Sequence, residues 1–314
     1  MNLYDDVRLD AAALLKQQEA TLHPPDPAAR SGDGHGPLGR LGSRARLYGL
    51  GALVKLGWHR RLVYANLKLD WFFEFQRYWV EELGNRPIHP QDFAFLSGVY
   101  RQRLQTIYFE QIEKPELASD ERHLEAWRDH RAIYYLFAYA YRQALSPLRV
   151  HPFTRYVPRG GRVAEYGCGA APVLTALARR YRHLDLQLVG ADIPHLLFHY
   201  ARWKFRADRF VTMLPIEPNN DTPLPGLYDT VFCLEVLEHL PRPIAAIEHF
   251  HRVLKPGEHL VFDYVRSEGT GLDTATSLRD RIPAIELILK QFDIVQGRVV
   301  TDGSHLEPAV ARKR

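Results

Sequence analysis

Cysteine and methionine are both scarce in this chain, with two residues of each among 314. Secreted domains that depend on disulfides carry many more cysteines, so Cys168 and Cys233 indicate reduced thiols in a cytoplasmic protein. One disulfide between them is possible in principle. Their positions at predicted strand ends are more typical of small buried hydrophobic side chains.

Long apolar runs are missing as well. No uninterrupted apolar stretch approaches the roughly 18 residues that span a bilayer. The N-terminus, Met1–Asp6, lacks the basic region and apolar run of a secretion signal. We therefore expect a soluble cytoplasmic protein without an integral membrane segment.

No arm of the chain concentrates charge of one sign. Lys and Arg outnumber Asp and Glu by 20 to 18 in residues 1–150 and by 21 to 19 in the remainder. Each half therefore carries a net charge of +2, and no nucleic-acid-binding module is recognisable. Nucleic acid is not an expected partner.

Strand-like alternation is absent from the first half, which divides by composition into three parts. Residues 1–21 combine acidic and apolar positions with helix formers and predict a short helix. Residues 22–43 hold many prolines and glycines and predict a linker or surface loop. Residues 44–150 place bulky aromatic groups at helical spacing and predict an all-helical domain.

The second half contains a strand, a glycine turn and a helix in succession. The strand Arg162–Glu165 ends in an acidic residue, Gly167 and Gly169 form the turn, and the helix begins at Pro172. Glycine lets a ligand approach the backbone closely, and the helix start directs free N–H groups at the turn. A second strand, Leu186–Asp192, ends in a carboxylate 23 residues after Gly169, where a ribose diol would be held.

These residues resemble the class I, Rossmann-like S-adenosylmethionine-dependent methyltransferases, from about Phe153 to the C-terminus. The first motif of that family reads Asp/Glu-x-Gly-x-Gly-x-Gly, which Glu165, Gly167 and Gly169 match, with Ala171 at the third glycine. NAD enzymes differ, because their Gly-x-Gly-x-x-Gly follows the first strand directly. The resemblance implies S-adenosyl-L-methionine as the cofactor.

The expected fold is α/β over residues 151–314, a Rossmann-like seven-stranded, mostly parallel sheet with helices on both faces. The alternation of strand and helix patterns supports it. The predicted strands are Arg162–Glu165, Leu186–Asp192, Arg209–Leu214, Thr230–Leu234 and Glu258–Tyr264, with a turn at Leu254–Gly257 and a final antiparallel pair at 292–296 and 308–311.

The resemblance also implies which residues contact the cofactor. Asp192 would bind the ribose hydroxyls, and Glu165 would lie near the methionine end and order the loop. The adenine would lie against Ile193 on one side and the Met213–Leu214 segment on the other. Many relatives place an acidic residue there, for which Glu217 is a substitute candidate. The remaining predicted cofactor contacts are Gly167, Cys168, Gly169 and Glu235.

A second motif, Tyr228–Leu240, is similar to the family's fourth motif, in which a strand leads into a Leu-Glu-His-Leu turn beside the transferable methyl group. Glu235 or His239 is a candidate general base for an O–H or N–H acceptor. With Glu238, these residues also repeat a Glu-x-x-Glu-His spacing that some relatives use for a divalent metal. We expect no metal, because a further ligand is not identifiable. Tyr264 is a third catalytic candidate, at the wall of the acceptor site.

Three interpretations of the aromatic residues in 44–150 stay open. They pack between helices, or they form a lid over the cofactor domain, with rings such as Tyr134, Tyr135 and Tyr139 facing the sulfonium or the acceptor. The third interpretation is docking on a membrane surface, which the acidic residues Asp70 and Glu74 weaken.

The leading functional hypothesis is a methyltransferase acting on a small molecule, with the acceptor atom open among O, N and C. One alternative is a non-methylating enzyme that consumes S-adenosylmethionine by cyclisation or cleavage on the same fold. Another is a cofactor-binding partner subunit. Neither the acceptor nor the oligomeric state follows from the sequence.

Overall fold

The computed structural model describes residues 71–88, 127, 133–143, 146–217, 220, 222–266 and 273–314. They divide into two compact units, one with residues 71–88 and 133–143 and the other with Trp127 and the described residues from 146 onward. The predicted N-terminal helix (1–21) and linker (22–43) lie outside the described residues. The proposed domain boundary near residue 150 stays a prediction.

The smaller unit is helical where it is described. Its elements are helix α1 (Trp71–Arg77), a π-helical turn (Tyr78–Glu82) and helix α2 (Ile133–Arg142). The ring centroid of Phe137 on α2 lies 5.0 Å from that of Phe75 and 5.1 Å from that of Trp79, both edge-on. These three rings are buried, which favours packing for them.

The larger unit contains the sheet. Its elements are α3 (Ser146–Val150), a 3-10 helix (His151–Tyr156), β1 (Arg162–Tyr166), α4 (Pro172–Arg180), a 3-10 turn (Arg182–Leu184), β2 (Gln187–Asp192), α5 (Leu196–Phe205), β3 (Val211–Pro215), β4 (Tyr228–Cys233), a 3-10 turn (Leu237–His239), α6 (Pro243–Val253), β5 (Leu254–Tyr264), α7 (Ala275–Arg279), α8 (Arg281–Gln291), β6 (Phe292–Gln296) and β7 (Leu306–Lys313). Within the described ranges, no helix is long and apolar enough to cross a bilayer.

The seven strands form one sheet in the order β3-β2-β1-β4-β5-β7-β6. Strands β1 to β5 are parallel, and β7 is antiparallel to both β5 and β6. This confirms the predicted seven-stranded, mostly parallel Rossmann-like sheet, including its final antiparallel pair.

Helices cover both faces of the sheet, and the buried residues form two clusters accordingly. One cluster includes Ile247 of α6 and Ile285 of α8. The other includes Leu174 of α4 and Phe198 of α5. Strand β4 is buried along its whole length, as expected for a central parallel strand with helices on both sides.

The structure corrects the prediction at the start of the fifth strand. The predicted turn Leu254–Gly257 lies within β5, whose first residue pairs with Tyr228 before the register shifts and His259 pairs with Thr230. Gly257 has a φ of 79°. Gly257 therefore lies in an irregular stretch of β5, where the pairing with β4 shifts but the strand continues.

Candidate functional site

The carboxyl ends of β1, β2 and β4 meet at the edge where the strand order reverses. From β1 the chain passes through α4 to β2 on one side, while β4 lies on the other side of β1. Open α/β sheets bind ligands in the crevice at such a switch point. Glu165, Asp192 and Glu235 each lie at or just after one of these strand ends.

The turn between β1 and α4 has a left-handed backbone at Gly167, Gly169 and Ala171, with φ of 65°, 50° and 53°. A Cβ atom on Gly167 would lie 2.4 Å from a methyl carbon of Val236. Only glycine fits there, because the segment after β4 packs against the turn. Cys168 is a buried free thiol, and its backbone N–H and that of Gly167 donate to one carbonyl at the end of β2.

Glu165 caps helix α4 with its side chain. Its carboxylate accepts hydrogen bonds from the backbone N–H groups of Val173 at 3.1 Å and Leu174 at 2.9 Å. Burial raises the pKa of Glu165 to about 8, while the two N–H donors and the nearby Lys204 ammonium oppose that rise. The carboxylate thus joins the end of β1 to the start of α4, a geometry compatible with the predicted ordering of the loop.

Asp192 holds the second strand end in place. One carboxylate oxygen accepts from the Gly169 N–H at 2.5 Å and the other from the Ile193 N–H at 2.7 Å, with His195 Nε2 at 3.3 Å. The two N–H donors use two of the roughly four acceptor positions of a carboxylate. The other two positions suffice for a ribose diol.

His195 was not among the predicted site residues. Its Nδ1 accepts the Leu197 N–H at 3.3 Å and caps α5, while its Nε2 lies 3.3 Å from Asp192 Oδ1. A histidine just before an apolar helical run, three residues after the strand-end acid, is the sequence signal for this role.

The side chains beside Asp192 are apolar and partly exposed. Met213 and Leu214 of β3 pair with Gly190 and Ala191 of β2, and with Ile193 they remain partly accessible. A carboxylate suits the ribose diol and apolar walls suit a flat base. The residues present therefore fit the adenosine part of S-adenosylmethionine. Glu217, the candidate for the adenine contact, is exposed after β3.

Lys204 of α5 reaches back to the glycine turn and was not predicted either. Its ammonium nitrogen donates to the Ala170 carbonyl and to the Thr175 hydroxyl, both at 2.6 Å. Because Ala170 lies between two left-handed residues, this contact holds the turn at its most strained part.

The turn after β4 begins with a second strained residue. Glu235 has a φ of 57°, and its backbone N–H donates to Asp263 Oδ1 at 2.7 Å. Its side chain is 34% exposed, with Arg149 Nη1 at 3.4 Å. Asp263 thus fixes an unfavourable backbone conformation that directs the Glu235 side chain outward.

Glu238 is buried beneath this turn and His239 is at its surface. Burial, with the carboxylates of Asp273 and Glu235 nearby, raises the pKa of Glu238 to about 8. His239 Nε2 lies 3.8 Å from Glu238 Oε1, and the His239 side chain is 23% exposed. In the part of the chain that the structure describes, no group of three or more His, Cys, Asp or Glu side chains is arranged to hold a metal ion.

Helix α7 and the residue before it stabilise the turn after β4 by hydrogen bonds. The Thr274 N–H and the Ser277 hydroxyl donate to the Glu238 carbonyl at 2.9 and 2.6 Å, and the Thr274 hydroxyl donates to the Leu240 carbonyl at 2.9 Å. Tyr264 is buried, and its hydroxyl donates to the Ser277 carbonyl at 2.8 Å. Burial raises the Tyr264 pKa. This geometry gives Tyr264 a structural contact with α7, and its predicted role at the acceptor stays a prediction.

The chain matches known methyltransferases. A family model described as a methyltransferase domain matches residues 137–296, just over half of the chain. The chain is 32% identical over 123 residues to the ubiquinone biosynthesis O-methyltransferase of Xylella fastidiosa (strain 9a5c), covering 37% of this chain and 47% of that protein. For the protein of the same name from Alkalilimnicola ehrlichii, identity is 30% over 123 residues, covering 38% and 48%. The chain spans about half the length of these curated relatives.

Solved structures give weaker similarities. A SAM-dependent methyltransferase from Aquifex aeolicus aligns with a TM-score of 0.41 and 18% identity, covering 63% of this chain and all of that one. The magnesium protoporphyrin IX methyltransferase from Synechocystis PCC 6803 aligns with a TM-score of 0.40 and 18% identity, covering 56% and 86%.

Proposed function

The chain belongs to the class I S-adenosylmethionine-dependent methyltransferases, and from that premise we propose that it methylates a hydroxyl oxygen of a small molecule. The curated relatives are O-methyltransferases, which supports oxygen as the acceptor atom. The observation that carries the proposal is the placement of a carboxylate, Asp192, at the end of β2 and of an imidazole, His239, in the turn that follows β4, on either side of the switch point of the sheet.

In this proposal the turn between β1 and α4 binds the cofactor together with the end of β2. Asp192 accepts the ribose hydroxyls on the carboxylate positions that its two backbone donors leave open. Ile193 and the Met213–Leu214 segment enclose the adenine. The backbone of the Gly167–Gly169 turn faces the methionine part, and Glu165 keeps that turn in place from below.

The turn after β4 binds and deprotonates the acceptor. When bound, S-adenosylmethionine supplies a sulfonium methyl carbon, to which the acceptor oxygen bonds as the C–S bond breaks and its electron pair stays on sulfur. His239 takes up the hydroxyl proton on its imidazole, the side chain most often used as a general base. Glu235, directed outward by its left-handed backbone, orients the acceptor beside it. Alignment supplies most of the acceleration, because a sulfonium is already an activated electrophile.

The proposal is tested by product analysis. The purified protein is incubated with S-adenosylmethionine and a panel of small phenols, alcohols and amines, and products are identified by mass spectrometry. We expect S-adenosylhomocysteine together with a methylated hydroxyl compound. Methylthioadenosine in place of S-adenosylhomocysteine would show cyclisation and overturn the proposal, as would methylation of amines alone.

The role of His239 is tested on the same reaction. His239→Gln should lower kcat about 100-fold, the lower end of the usual contribution of general base catalysis. His305→Gln, which changes an exposed histidine on the segment before β7, is the matched control and should keep the wild-type rate. Equal rates for both variants would remove His239 from the mechanism.

A further inference from the structure

Trp127 lies between the two histidines of the site, in the same compact unit as the sheet. Its ring centroid is 5.9 Å from that of His195, with the ring planes at 52°, and 5.6 Å from that of His239, with the planes at 67°. His195 contacts the Asp192 carboxylate and His239 approaches that of Glu238. Three rings therefore form a continuous row from the end of β2 to the turn after β4.

The two histidines of this row differ in exposure. The His195 side chain is 5% exposed and that of His239 is 23% exposed, while Trp127 is partly exposed between them. An indole is large and rigid and loses little entropy when a ligand packs on it. Its face prefers another flat π system, which gains energy beyond the area that it buries.

We propose that Trp127 positions the acceptor, and that the acceptor is a flat, unsaturated ring bearing the hydroxyl group. The ring packs on the indole, and its hydroxyl group then lies beside His239, the neighbouring ring in the row. A saturated ring of the same size gains burial but no aromatic stacking. This inference rests on the proposed function and adds to it the class of substrate and the residue that selects it.

Binding tests the inference without catalysis. Wild type and Trp127→Phe, saturated with S-adenosylhomocysteine, are titrated with phenol or with cyclohexanol, and tryptophan emission is recorded. Trp203→Phe is the matched control, because Trp203 on α5 packs on Tyr200 and Arg206 instead. We expect phenol to quench the emission of wild type and of Trp203→Phe strongly and that of Trp127→Phe weakly, with little response to cyclohexanol. Equal quenching in Trp127→Phe, or equal responses to both probes, would overturn the inference.

Kinetics separates positioning from packing. For methyl transfer to phenol, Trp127→Leu should raise KM about fivefold to tenfold, and Trp127→Phe should restore most of that loss. The calorimetric affinity for S-adenosylhomocysteine should change less than about twofold, because Asp192 keeps its two backbone donors. A loss shared equally by cofactor affinity and phenol KM would assign Trp127 to packing alone. If wild type methylates nothing but gives the expected quenching, the proposed function fails while the assignment of Trp127 stands.

Discussion

The turns after β1 and β4 each depend on a buried glutamate, and the two glutamates differ in the hydrogen bonds that they accept. Burial raises the pKa of both Glu165 and Glu238 to about 8. At Glu165 two backbone N–H donors and the Lys204 ammonium oppose the rise. At Glu238 a backbone hydrogen bond and the Arg281 guanidinium oppose the rise while the carboxylates of Asp273 and Glu235 add to it, and none of the described residues donates to its buried Oε2 atom.

This difference indicates different functions for the turn after β1 (the first turn) and the turn after β4 (the second turn). The first turn is tied by side chains to backbone groups, through Glu165, Asp192 and Lys204, and this arrangement suits a fixed cofactor cradle. Beneath the second turn, Glu238 has one carboxyl oxygen that accepts no hydrogen bond from the described residues, and the partly exposed His239 lies beside it. Carboxyl groups at neighbouring strand ends are therefore not equivalent, because their hydrogen-bond donors decide what they do.

The largest effect is expected from Glu165→Ala. Two buried N–H groups at the start of α4 lose their acceptor, so the free energy of unfolding should fall by about 2–4 kcal/mol. Urea denaturation measures it. Glu286→Ala, at an exposed site on α8, is the control and should change little. A loss no larger than that of the control would mean that Glu165 is not the structural support of the first turn.

Asp192→Ala should weaken S-adenosylhomocysteine binding about 10- to 100-fold, because a lost charge-assisted hydrogen bond costs roughly 1.5–3 kcal/mol. Calorimetry measures this. Asp185→Asn, in the loop before β2 and at the far end of that strand, is the control and should bind normally. Unchanged affinity in Asp192→Ala would show that the ribose does not bind at the end of β2.

Glu238→Gln should stabilise the protein in a pH-dependent way. An unfolded glutamate ionises near pH 4.5, while Glu238 in the folded chain keeps its proton up to about pH 8. The folded state binds more protons in that window, so wild-type stability falls as pH rises through it. The variant should exceed wild type by an amount that grows from pH 4.5 to 8 and reaches about 1–3 kcal/mol.

Thermal and urea unfolding at several pH values follow this difference. Glu248→Gln, at an exposed position on α6, serves as the matched control, and its difference from wild type should stay constant with pH. A constant difference for Glu238→Gln as well would show that this carboxyl group is not held in the protonated form.

The smallest effect is expected from Ser277→Ala. It removes one hydrogen bond to the Glu238 carbonyl while the Thr274 N–H still donates there, so stability should fall by about 0.5–1.5 kcal/mol. The rate of methyl transfer should fall with it, since the turn that carries His239 loosens. Thr276→Ala in the same helix is the comparison. An unchanged rate would separate α7 from the chemistry of the second turn.

Local patterns made much of this site predictable. The glycine spacing after β1 and the acid at the end of β2 lie in continuous stretches whose strand and helix patterns fix their positions. The supporting contacts were not predictable, because Asp263 acts on Glu235 across 28 residues and Ser277 acts on Glu238 across 39. The bond from the Tyr264 hydroxyl to the Ser277 carbonyl of α7 was not predictable for the same reason.

A crystal structure with S-adenosylhomocysteine bound would show directly whether the cofactor lies between the turns after β1 and β4. We expect the ribose hydroxyls within hydrogen-bond distance of Asp192 and the adenine between Ile193 and the Met213–Leu214 segment. We expect the sulfur to be directed at the turn that carries His239. A ribose bound elsewhere, or a sulfur directed away from that turn, would contradict this account.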